Sequence, residues 1–485
     1  MRKPLILSVT LGLLALSCSR DSGNSYDIGY RMAFEPSGHY IDVQMRYIPS
    51  GRAKGTVTFR MPVWAPGYYT VIDYPKYLTG FDARTSSGEK LKWEKSGKDR
   101  WVVQKADTVV IEYKVFADAF SVADSRVTEE SAFVAPNGVF MYVDVDHPVT
   151  LAIDLPEGWE KVSTSLECKD GIYSAPDFDV LYDSPILAGN HLTEYRELDG
   201  ETYEFAVLTP EGFEESHIAD DFLAGVKEAV KIFGDTPYDS YHLLLLGKGY
   251  GGLEHQSSQA DYTSGTWNFE TRDRYLSELR FLTHEYFHNY NVKAIRPVEL
   301  GPFDYSREVF TPLLWFSEGI TCYYESVLLE RAGVETEEEH LAFLARYIKE
   351  TESTEGRKHM SLRQSSYDIW LNFFNRSSNS SDVTISYYVK GPVIGLLTDA
   401  WIQASSGGTK SLDDLMNLLY RRYYKEKGRG FTEEEFWASV EEVAGKEAGG
   451  IRRYVDTTEE IDYDSILEPA GYHLDRDSWE LTRRN

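Results

Sequence analysis

The stretch FLTHEYFHNYNVKAIRP, from Phe281 to Pro297, places two histidines four residues apart with a glutamate directly after the first. On a helix, His284 and His288 leave the same face one turn apart. Two imidazoles so placed can each give one nitrogen to a tetrahedral metal ion. Glu285 lies one residue further round, near enough to reach a water on such an ion rather than the ion itself, which suits a general base. Phe281 and Leu282 before the motif, with Tyr286 and Phe287 inside it, supply an apolar face to seat the helix. The competing reading is a surface helix carrying two solvated histidines.

A catalytic ion needs a third protein ligand and an open position. No histidine follows at a short spacing. LLWFSEGITCYYES offers Glu318, thirty residues after His288. A carboxylate flanked by Trp315, Phe316 and Ile320 is costly to bury unless paired or coordinated, which favours it over Glu308 or Glu330. The bland alternative is a helix-start carboxylate stabilised by the helix dipole, and Glu325 is the reserve ligand. A His-His-Glu set points to a gluzincin-type hydrolase. Cys322, in the same apolar stretch, reads as a buried free thiol.

Upstream, SYHLLLLGKG reads as a buried strand leading into GKGYGGLEHQSS. A glycine-rich turn there, with Gly251 and Gly252, lets backbone approach a ligand closely, and Glu254 could bind a free amino group. Alone the signal is weak. Downstream, ISYYVKGPVIGLL carries Tyr387 and Tyr388 ahead of a helix. Either hydroxyl could donate to the oxyanion that develops when an amide is hydrolysed, and either ring could simply be packing.

Around these motifs the chain reads as multidomain α+β. HYIDVQMRYI, GTVTFRMPVW, DTVVIEYKVFA and VTLAIDLP alternate with period two, so residues 26–198 read as a β-sandwich-like domain. MPVWAPGYYTVIDY is aromatic and proline-broken, and reads as a loop or edge at a core or domain contact. DFLAGVKEAVKIFGD and the segments around 277–293, 313–333 and 336–350 read as helices, making 199–350 a mixed α/β domain. Residues 351–485 read as mostly helical, with SSYDIWLNFFNRSSNSSDVT as a polar loop.

The 485 residues carry 42% hydrophobic side chains, ample for two or three packed cores. With 78 acidic against 50 basic residues the formal charge is −28, so a phosphate backbone is repelled and nucleic acid is excluded as a partner. The N-terminus has Arg2 and Lys3 before the short apolar run Leu5–Leu16, which reads as a secretory signal over 1–17. Cys18 stands where a bacterial lipoprotein signal places its acylated cysteine, and SRDSGNS reads as a tether over 18–25. A bacterial envelope lipoprotein, periplasmic or outer-membrane, is therefore expected, with cleavage and secretion as the alternative. Oligomeric state is not legible.

Taken together, GGLEHQSS, HEYFHNYNVKAIRP, LLWFSEGITCYY and SYYVKG, in this order, resemble the glycyl aminopeptidases of metallopeptidase family 61. MPVWAPGYYTVIDY resembles that family's N-terminal signature, and YVDTTEEIDYDSILEPAGY the segment closing its helical region. The resemblance implies a thermolysin-like catalytic domain with one Zn2+ per chain on His284, His288 and Glu318, and Glu285 activating water. It implies Tyr388 rather than Tyr387 as transition-state donor, and Glu254 as receptor of the substrate N-terminus with His255 lining the pocket. Asn291, Lys293 and Arg296 follow the family pattern with a structural role. A PDZ domain often follows the helical region in that family, and none is expected here. The function implied is hydrolysis of N-terminal residues, small ones such as Gly or Ala, from peptides with a free N-terminus. An endopeptidase with the same site, and a non-catalytic envelope protein binding peptide or glycan, are the alternatives.

Overall fold

The computed structural model describes residues 28–49, 54–145, 147–372 and 375–484; the expected signal, tether and Cys18 lie outside them. Period-two alternation builds the first part of the chain. In Tyr40–Tyr47 and Val109–Phe116 every second side chain is buried, Ile41, Val43 and Met45 on one strand and Val109, Ile111, Tyr113 and Val115 on the other. These strands pair antiparallel within a seven-stranded sheet, in which only Ile28–Glu35 and Val149–Asp154 run parallel. A three-stranded and a four-stranded sheet share its apolar core.

The second part centres on a five-stranded sheet ordered Leu192–Leu198, Glu201–Val207, Ser240–Lys248, Ser258–Thr263, Gly252–Glu254. The leucine run of Ser240–Lys248 is buried, as a parallel strand covered on both faces must be. Gly252–Glu254 is the antiparallel edge strand. Helix Ile218–Phe233 ends at Gly234, whose φ of 88° closes it in the left-handed conformation. The histidine helix, Arg272–Phe287, starts at Thr271, whose hydroxyl accepts from the Arg274 amide.

The expected loop at Met61–Tyr74 is irregular chain that joins the two parts. The Val63 amide donates to Tyr305 O at 2.8 Å, and Trp64 Nε1 to Asp304 O at 2.8 Å. Trp64 and Tyr69 both meet Trp370 edge-on, with centroids 5.2 and 5.8 Å apart. Helices Glu337–Ser353, Tyr387–Ser405, Leu412–Leu419 and Glu433–Ala444 make up most of the C-terminal part. Two details differ from the sequence expectation. The chain closes on a hairpin, Tyr472–Asp475 with Glu480–Arg483, and the polar segment after Met360 holds the short helices Leu362–Tyr367 and Ile369–Asn372.

One close approach fixes the interior. The five-residue π-helical turn Trp315–Gly319 leads into helix Ile320–Arg331 and crosses helix Tyr387–Ser405 backbone to backbone. A Cβ on Gly391 would lie 2.5 Å from the Gly319 Cα, and one on Gly319 would lie 2.4 Å from the Gly391 Cα. Glycine is required at both positions by space alone. Gly391→Ala is expected to destabilise the protein by about 1–3 kcal/mol through overpacking. Gly449→Ala, at an exposed helix start with open space around the new Cβ, is expected to change stability by under about 0.5 kcal/mol. Equal urea midpoints for the two variants would contradict the close-packed crossing.

Candidate active site

The histidine helix, the Trp315–Gly319 turn and helix Tyr387–Ser405 converge on one buried site. His284 and His288 face each other with their Nε2 atoms 3.0 Å apart. Glu318 Oε2 stands 3.2 Å from His288 Nε2 and 3.6 Å from His284 Nε2. The outer ring nitrogens are engaged elsewhere. His284 Nδ1 lies 2.8 Å from Glu325 Oε2, and His288 Nδ1 lies 2.7 Å from the Asn291 carbonyl. Both of those partners only accept, so each Nδ1 carries a proton, and Nε2 is the nitrogen of each ring left to give a lone pair to a cation.

Two ring nitrogens and a carboxylate oxygen at these separations need protons or a metal cation among them. A tetrahedral ion with bonds of roughly 2.0–2.1 Å separates its ligand atoms by about 3.3 Å, which the three observed distances bracket. The donor set therefore fits a first-row divalent ion held by His284, His288 and Glu318. The reserve candidate, Glu325, orients His284 from behind instead. Cys322 Sγ, 3.7 Å from His284 Nδ1, is on that same outer side, and burial pushes its thiol up to about 11, so it stays neutral.

The orienting groups explain a departure from regular helix. Helical chain was expected to 293, but the α-helix ends at Phe287 and Asn291 leaves helical geometry at φ −109°, ψ 72°. That kink turns the Asn291 carbonyl onto His288. The Asn291 side-chain amide donates to the carbonyls of Phe316 and Ser317 at 3.0 and 3.1 Å, tying the histidine segment to the Glu318 turn.

Glu285 is buried beside the histidines. A Cβ on Gly252 would lie 2.5 Å from its Oε1, so only glycine lets the edge strand rest on this carboxyl. Burial, joined by the nearby Asp261 and Glu254 carboxyls and opposed by the two histidines, pushes Glu285 up to about 8. Glu318 goes the other way: burial raises it, but His288 and His284 outweigh that and hold it at about 2.

Glu254, Glu285 and His288 bring one ligand-type atom each to within 4.8 Å of one another. Gly67, at φ 87° in the aromatic junction loop, packs against the Glu254 carboxylate; a Cβ there would be 2.7 Å from Oε1. Tyr69, Tyr387 and Tyr388 sit among Glu318 and Glu254, and burial followed by those carboxylates raises all three phenols well above their ordinary range. The Tyr388 ring lies 6.5 Å from that of His284. Tyr387 is buried, its ring 4.8 Å from that of Tyr388.

The structure thus gathers His284, His288, Glu318, Glu285, Glu254, Gly252 and Tyr388 in one place. Gly251 is the φ 96° hinge before the edge strand. His255 turns away to Asp183, 3.0 Å from its Nδ1. Sequence reasoning missed Gly67 and Tyr69 as neighbours of Glu254, although the glycine before paired tyrosines in APGYY was visible. Nothing in LYDSPIL marked Asp183. Glu325→Ala is expected to weaken divalent-metal affinity about 10- to 100-fold, measured by competition with a chromophoric chelator. Unchanged affinity would show that Glu325 does not orient His284.

No curated protein matches the chain by sequence. Among solved structures, an aminopeptidase N family protein from Idiomarina loihiensis superposes with a TM-score of 0.87 at 25% identity, over 92% of this chain and 79% of that one. A variant of an M1 zinc metallopeptidase from Deinococcus radiodurans, bound to a Tyr-Ser-Ala substrate, matches with a TM-score of 0.55 at 12% identity, over 91% and 95%. Native leukotriene A4 hydrolase from Saccharomyces cerevisiae gives 0.53 at 15% identity, over 91% and 67%. These likenesses show the multidomain α+β fold: an N-terminal sheet domain, a thermolysin-like centre and a C-terminal helical region. The profile of the M61 glycyl aminopeptidases matches residues 277–394, and that of the M61 N-terminal domain residues 29–190. Together the two spans take in more than half of the sequence and include both metal-facing histidines, Glu318 and Tyr388, and on that ground the chain belongs to the M61 glycyl aminopeptidase family of metallopeptidases.

Proposed function

We propose that this chain is a zinc-dependent aminopeptidase that removes N-terminal residues, small ones such as glycine or alanine, from peptides. The observation that carries the reading is Glu254, a carboxylate placed beside Glu285 and His288 and backed by Gly67. A substrate ammonium paired with Glu254 would set its first peptide bond, and no later one, beside Glu285. The crowding of Tyr69 and Tyr387 around the same carboxylate favours a small first side chain.

His284, His288 and Glu318 are the residues that would hold the zinc, one per chain, and two imidazoles with a carboxylate are a donor set of catalytic zinc. Zinc would supply Lewis acidity to the scissile carbonyl and to the attacking water. Glu285, with its proton affinity raised by burial, suits a group that takes a proton from water and returns it to the leaving amine. The Tyr388 hydroxyl would donate to the developing oxyanion. Glu254 would accept from the substrate ammonium, with the Gly251–Gly252 backbone and His255 supporting its strand.

We assign residues 26–198, 199–350 and 351–485 to the β, catalytic and helical domains. No helix among the described residues is long and apolar enough to cross a membrane, and we place any envelope attachment in a lipid on Cys18.

Three outcomes are expected of the purified protein. About one zinc per chain is expected, with release of a reporter from Gly and Ala amides that stops on chelation and on N-acetylation. Glu285→Gln should retain zinc and lose about 10²- to 10⁴-fold in kcat. Tyr388→Phe should lose about 10²- to 10³-fold in kcat with metal retained. Cleavage of acetylated peptides at internal bonds would make the enzyme an endopeptidase; zinc without turnover of any peptide would make it a binding protein.

A further inference from the structure

Asp183 belongs to the N-terminal part of the chain, at the end of the short helix Phe178–Tyr182, yet its carboxylate contacts the segments that carry Glu254 and His288. Oδ1 receives Lys293 Nζ at 2.6 Å and stands 3.0 Å from His255 Nδ1, and Oδ2 receives the Gln256 amide at 2.8 Å. His255 is buried and Lys293 nearly so, with side chains 7% and 9% exposed. Burial works against the Asp183 charge, but Lys293 and His255 outweigh it and keep the carboxyl below its ordinary range.

The three donors come from two segments that each end on a functional atom. His255 and Gln256 form the turn immediately after Glu254. Lys293 lies two residues beyond Asn291, whose carbonyl orients His288. Glu254 itself stands on an edge strand of three residues, Gly252–Glu254, paired on one side only. So short an edge strand is weakly held by its own ladder and takes its position from its ends. At one end is the glycine hinge Gly251; at the other is the turn gripped by Asp183.

We propose that Asp183 is a positioning residue for this peptidase: by holding the His255–Gln256 turn and Lys293 on one carboxylate, it sets the distance between Glu254 and the His284–His288 pair. The N-terminal domain then contributes to catalysis by fixing where the substrate N-terminus sits relative to the reacting bond. The inference rests on the reading of Glu254 as the receptor of that N-terminus.

The test is steady-state kinetics on glycyl and alanyl reporters with the zinc-loaded protein, for Asp183→Asn, Glu254→Gln and the two combined. Asp183→Asn is expected to raise KM roughly tenfold with a smaller change in kcat and full zinc content. In the Glu254→Gln background the same change is expected to add nothing to KM, because its effect passes through Glu254. Asp183→Asn leaves Lys293 without its counter-charge, so Asp183→Asn with Lys293→Met serves as the second variant. It is expected to regain thermal stability while keeping the raised KM. Wild-type KM in Asp183→Asn, or losses that multiply in the Glu254→Gln background, would overturn the positioning role. A recovered KM in the charge-free pair would overturn it too, since the effect would then be one of stability. If Glu254→Gln alone leaves KM unchanged, the reading of Glu254 falls and this inference falls with it.

Discussion

The site depends on one constraint: of the two ring nitrogens of His284 and of His288, only Nε2 is left to bind an ion. Glu325 and the Asn291 carbonyl occupy the opposite nitrogens as acceptors, so the Nε2 atoms of His284 and His288 face each other at 3.0 Å and face Glu318. In a buried cavity this is unfavourable without a cation, and favourable with one. Ion binding and the folded arrangement of two separate segments are thereby coupled. The histidine helix and the Glu318 turn contribute the donor set, and Glu325 on the following helix orients His284 from behind.

The rest of the chain can be understood as support for that set. Gly319 and Gly391 let the Glu318 turn and the Tyr388 helix touch without side chains between them, which brings the phenol to the histidines. Gly252 allows the edge strand to lie on Glu285, and Gly67 allows the N-terminal domain to close over Glu254. Gly319 and Gly391 are demanded by backbone contacts shorter than a Cβ permits, while Gly252 and Gly67 close onto buried carboxylates that a Cβ would have to displace. The β domain therefore packs directly against the candidate site, through Gly67 on Glu254.

Much of this was legible in the sequence, and the gaps have physical reasons. The histidine spacing pointed to two residues that face one another, and the cost of burying a carboxylate among Trp315, Phe316 and Ile320 pointed to Glu318, which the structure places beside them. The alternating strands at Tyr40–Tyr47 and Val109–Phe116 followed from their apolar period. The carboxy-terminal hairpin did not, because two four-residue strands are too short to show a period. The kink at Asn291 was hidden because the local sequence is compatible with helix; the demand of His288 for an acceptor overrides it. Asp183 is one acid among 78, and its meaning comes only from partners more than seventy residues away.

The central claim is that the ion site is the His284–His288–Glu318 side of the histidines and not the Cys322–Glu325 side. X-ray absorption at the zinc edge of the loaded protein tests it most directly. A first shell of nitrogen and oxygen only, at about 2.0–2.1 Å, with imidazole outer-shell scattering from two histidines, is the expected result. A sulfur neighbour at about 2.3 Å would place the ion against Cys322 and contradict the account.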